Sequence, residues 1–90
     1  MNNARRKVLN EIKDRIDEIR LELEDQKESL EGVWDEEQDA YDNLPEGLQE
    51  SERGEAMQEI LDQLEEIRDN LESCISDLED SVSSIEEIIG

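Results

Sequence analysis

Ninety residues with 29 acidic and nine basic side chains, a net charge of −20, specify one small and strongly anionic domain. Such a surface repels nucleic acid and anionic membrane and attracts basic protein surfaces. Histidine is absent, which removes the usual imidazole acid or base.

With 42% charged residues, no phenylalanine and only Trp34 and Tyr41 as aromatics, the bulk composition resembles that of a disordered chain. The apolar residues are not scattered, however. They are mostly leucine and isoleucine at helical spacing, which favours a coiled coil or bundle. No apolar run reaches the length of a membrane span, and no signal-peptide pattern is present. Cys74 is the only cysteine, so no intrachain disulfide can form and a reducing cytoplasm is the expected setting.

In chain order, residues 1–4 read as a frayed start, followed by a first helix over about 5–42. Its seam is Leu9, Ile12, Ile16, Ile19, Leu23, Gln26, Leu30, Val33, Glu37 and Ala40, an a/d heptad repeat in steps of three and four. Gly32 falls on the outer face. Residues 43–51 read as a turn. Pro45 disfavours helix at Leu44, and Gly47 is expected to supply a positive φ. Leu44 and Leu48 are placed as a plug. Ser51 is the expected N-cap of a second helix over about 52–89, with Glu52 and Glu55 in its first turn.

The second seam list is Met57, Ile60, Leu64, Ile67, Leu71, Cys74, Leu78, Ser81, Ile85 and Ile88. A turn centred between Leu48 and Gln49 sets Leu9 against Ile88, Leu23 against Cys74 and Leu30 against Ile67. Cys74 is therefore expected as a buried structural thiol.

The positions following each d form another row, here called e. On the first helix they are Arg6, Lys13, Arg20, Lys27, Trp34 and Tyr41. On the second they are Gly54, Leu61, Arg68, Ile75, Val82 and Ile89. These face one another in the antiparallel pair, with Gly54 leaving space for the Tyr41 ring. The opposite flank, including Arg15, Glu22, Ser29, Glu36, Gln63, Asn70, Asp77 and Ser84, is polar. The expected fold is thus all-α: a single antiparallel two-helix hairpin over 1–90. It associates through the stripe of Arg20, Lys27, Trp34, Tyr41, Leu61, Ile75, Val82 and Ile89 into a four-helix dimer or larger homo-oligomer.

No catalytic constellation, metal site or cofactor motif is expected. Asp35-Glu36-Glu37-Gln38-Asp39 lacks the glycine-containing EF-hand loop pattern. Instead, Asp35, Glu36, Asp39 and Asp42 mark a candidate partner-binding acidic face. A rod of about 57 Å carrying 29 carboxylates approaches the charge spacing of duplex DNA, about one per 1.7 Å. The leading expectation is a non-enzymatic DNA mimic that inhibits a basic, nucleic-acid-handling protein. Two alternatives stand beside it: a structural or adaptor coiled coil, and a sponge holding a small anionic nucleotide on the basic stripe.

The stretch from Tyr41 to Glu55, with the Leu-Glu-Glu-Ile heptads that follow, resembles small acidic helical-hairpin proteins encoded by bacteriophages and mobile elements. The similarity covers roughly residues 33–89. It implies a phage-encoded protein in a bacterial host cytoplasm, acting on a host factor such as a defence protein. It implies no catalytic residue.

Overall fold

The computed structural model describes all of residues 1–90; its regular structure is helix alone, with no strand. Three helices follow in order: α1 (Asn3–Asp42), α2 (Glu46–Gln49) and α3 (Glu52–Ile89). The rod measures 68 × 14 × 14 Å. A helix of 40 residues is about 60 Å long, so α1 and α3 must lie side by side rather than end to end. Ion pairs from Arg20 to Glu79 (3.8 Å) and Lys27 to Glu72 (3.3 Å) join them along its length.

Local chemistry accounts for the ends. The Asn2 side chain accepts from the Arg5 N–H at 2.9 Å, so α1 begins at Asn3. Asn43 closes α1 through its own N–H. Pro45, which needs no donor, sits immediately before α2. Gln49 reaches back and donates to the Tyr41 carbonyl (3.2 Å), which also accepts the Leu44 N–H, and to the Leu44 carbonyl (3.4 Å) just beyond α1. Ser51 occupies the N-cap position of α3, but its hydroxyl donates to the Leu48 carbonyl rather than capping an N–H.

Two expectations for the turn are corrected. Gly47 lies inside α2 with no positive φ, because Pro45 starts a helical turn instead of a reversal. Gly54 makes room for backbone, not for the Tyr41 ring. A Cβ there would overlap the Gln49 carbonyl group and lie 2.6 Å from the Leu48 oxygen. Leu44 is half-buried, whereas Leu48 is exposed.

The seam is corrected too. The shielded positions of α1 are chiefly Leu9, Lys13, Ile16, Arg20, Leu23, Lys27, Leu30, Trp34, Glu37 and Tyr41. Those of α3 are Gly54, Met57, Leu61, Leu64, Arg68, Leu71, Ile75, Leu78, Val82, Ile85 and Ile89. These are rows a and e. Their order sets Leu23 level with Ile75, Leu30 with Arg68 and Trp34 with Leu64, one residue away from the expected register. Leu30, Trp34, Leu64 and Arg68 do line one cavity. Row d is left outside: Ile12, Ile19, Val33, Ile60, Ile67 and Ile88 are each 44–52% exposed, and Cys74 is exposed rather than buried.

Gly54 explains the choice between the two rows. Its contact with the Gln49 carbonyl turns row e of α3 inward at the start of the helix. Leu61, Ile75 and Val82, at heptad intervals beyond it, are then the buried side chains. Gly54→Ala is expected to lower stability by about 1–3 kcal/mol through overpacking. Gly32→Ala, where a Cβ meets nothing within 4 Å, should raise it by up to about 1 kcal/mol. Thermal melts of the two variants check both signs.

Candidate acidic interface

With rows a and e turned inward, the remaining rows divide by charge. One broad side of the rod carries row b: Asp17, Glu24 and Glu31 on α1, and Glu65, Glu72, Glu79 and Glu86 on α3. Arg20, Lys27 and Arg68 emerge beside these acids. Their stems lie in the seam, and the side chains of Arg20 and Lys27 are only 23% and 29% exposed. Arg20 meets Asp17 at 3.4 Å, Glu24 at 3.1 Å and Glu79 at 3.8 Å. Lys27 meets Glu31 at 3.9 Å and Glu72 at 3.3 Å.

Arg68 meets Asp69 at 3.1 Å. That hydrogen bond, aided by the charges of Asp69, Glu72 and Glu65, holds its guanidinium above the usual range. Arg20, Lys27 and Arg68 therefore find carboxylate partners within their own chain.

These pairs and the exposed Arg15–Glu18 pair engage seven of the 29 carboxylates, so most of the negative charge is unpaired. Spread along 68 Å, the full set amounts to about one carboxylate per 2.3 Å, against about one per 1.7 Å for duplex DNA.

Asp35, Glu36, Asp39 and Asp42 are all exposed around the last turns of α1. Asp35, Asp39 and Asp42, at i, i+4 and i+7, share the outer face of α1. By heptad position Glu36 leans towards the row-d side, and Asp42 accepts from Gln38 at 2.9 Å. Asp35 instead joins a cavity of about 220 Å³ with Leu30, Trp34 and Leu64 as apolar walls and Glu31 and Glu65 as further carboxylates. Arg68 also borders it. The indole N–H of Trp34 is buried without a hydrogen-bond partner.

Row b is not visible as a unit in the sequence, because its heptad-spaced acids stand among equally acidic neighbours and the densest run lies elsewhere, at Asp35–Asp39. The residues expected to join copies are placed inside the hairpin. Leu61, Ile75 and Val82 are buried, while Arg20, Lys27, Trp34, Tyr41 and Ile89 are partly shielded.

No group of carboxylates or thiol is arranged to hold a metal ion, and no helix is long and apolar enough to cross a membrane. The arrangement offers recognition through a long row of fixed negative charges.

Because unpaired carboxylates far outnumber the ion pairs, screening should help the fold more than it harms it. The melting temperature is expected to rise between low salt and about 0.5 M NaCl, where the Debye length falls to roughly 4 Å. A falling melting temperature would show that the pairs of Arg20 and Lys27 outweigh the repulsion.

The chain matches no family model, no curated protein and no solved structure.

Proposed function

We propose that the protein is a non-enzymatic binding protein whose acidic side occupies the nucleic-acid groove of a basic partner protein. The observation that carries this reading is the set of 29 carboxylates, only seven of them ion-paired, along a rod with near-duplex charge spacing. Dispersed charge of this kind steers association and is strongly salt-dependent.

The Trp34 cavity supplies a fixed point within that field. An arginine or lysine of the partner would lie against the indole with Glu31, Asp35 and Glu65 around it, combining cation–π attraction with ion pairing. In the setting implied by the phage-like turn segment, the partner is a host nucleic-acid-handling protein and the outcome is inhibition.

A second reading, an adaptor coiled coil, draws support from the uncovered isoleucines of row d. The anion-sponge reading draws little, since Arg20, Lys27 and Arg68 are engaged by the chain's own carboxylates.

Affinity capture from a bacterial lysate, at low and at high salt and with duplex DNA as competitor, separates these readings. For the groove-filling reading the captured partner is expected to be released by salt and by DNA. Reversal of Asp35, Glu36, Asp39 and Asp42 to Lys should weaken capture by at least about tenfold while circular dichroism stays helical. The adaptor reading expects capture to ignore salt and to be lost with Ile60→Gln or Ile67→Gln. That second pattern would overturn the proposal.

A further inference from the structure

The other broad side of the rod differs from the acidic one in kind. Five heptad levels of row d run along it: Ile12, Ile19, Gln26, Val33 and Ala40 on α1, and Ile88, Ser81, Cys74, Ile67 and Ile60 on α3. In an antiparallel pair equivalent flanks share a side, so both strips face the same way. Over these five levels neither contains a charge; one heptad further, the same row carries Arg5 on α1 and Arg53 on α3. The adjoining outer rows add only Arg15, Glu22, Glu36 and Asp77 as charged residues. On a chain of net charge −20, this is the one long surface on which two copies can meet without bringing carboxylate rows together.

We infer that this face is covered by a second copy of the same chain, making an antiparallel four-helix dimer. Three observations select that occupant. First, row d borders row a, which is already in the seam, so docking there extends the existing core. Within one copy that core buries only Gly54, Leu61, Ile75 and Val82. Second, a face 68 Å long and 14 Å across offers on the order of 950 Å² per copy, against roughly 800 Å² from each partner in a stable complex.

Third, charge fixes the direction. A parallel dimer would place the two acidic turn ends side by side. The antiparallel dimer sets the basic start of α1, where Arg5 and Arg15 border this face, towards the acidic end of the other α1, where Glu36 borders it. In that arrangement Ile19 of one copy meets Val33 of the other, and Ile88 meets Ile60. Gln26 and Cys74, at the central level, each meet their own counterpart. The acidic side stays outward on both copies. The inference does not depend on what that side binds.

Sedimentation equilibrium at micromolar concentration is expected to give twice the 10.5 kDa chain mass. Ile19→Gln with Ile67→Gln should raise the dimer dissociation constant by at least about tenfold. Because both side chains lie outside the hairpin seam, circular dichroism of the variant should remain helical. Direction is read by diamide oxidation, in which two facing thiols lose two electrons and two protons to the diamide. In the antiparallel dimer Cys74 cross-links to Cys74, and a Q26C/C74S variant likewise cross-links to itself. A single-chain mass at this concentration overturns the dimer. Cross-links that form only when the two single-cysteine proteins are mixed overturn the antiparallel arrangement.

Discussion

One steric contact sets the rotational phase of this protein. Gly54 lies against the Gln49 carbonyl, where any side chain would overlap backbone. A straight helix has little freedom about its own axis once its first turn is fixed. Everything that α3 turns inward thereafter, from Leu61 to Val82, follows at heptad intervals from that approach. Gln49 holds the other side of the junction by binding two carbonyls at the end of α1. A short segment thus orients two helices of 40 and 38 residues.

Fixing the phase also distributes the charge. On α1 the inward row e holds Lys13, Arg20 and Lys27, whose long stems lie along the seam. Such stems contribute apolar contact while their charged ends reach the carboxylates at the edge. Pairs of this exposure contribute at most about 1 kcal/mol each, so they do not by themselves hold the hairpin together. Their larger effect is placement. They draw Glu24, Glu31, Glu72 and Glu79 into a line along one side. The opposite side is left with row d, which carries no carboxylate and is charged only at Arg5 and Arg53.

The helices, their near-final limits and the turn were legible from Pro45, Ser51 and the heptads. The seam was legible only in part. Row a belongs to both candidate cores, and each neighbouring row is mostly apolar on the second helix. A repeat of three and four therefore cannot choose between a/d and a/e. The choice depends on Gly54, and a glycine in a sequence does not show which atoms approach it. Reading it as space for Tyr41 identified the need for a small residue but not its neighbour. Gln49 was missed because a side chain serving another helix's carbonyls carries no periodic signal. Row b was hidden for the opposite reason: with so many acids, those beside Arg20 and Lys27 look like all the others.

Both aromatic residues lie in the half of the rod nearest the turn. Trp34 fluorescence and Tyr41 absorbance therefore report the half that contains Gly54 and Leu61, and are silent about the half where the chain begins and ends. Backbone circular dichroism weights all residues alike. In a rod whose contacts are strung along one dimension, the open end can separate while the turn end stays closed. Optical and dichroic melting curves would then part company, and the gap between them would measure how far the hairpin unzips before it unfolds.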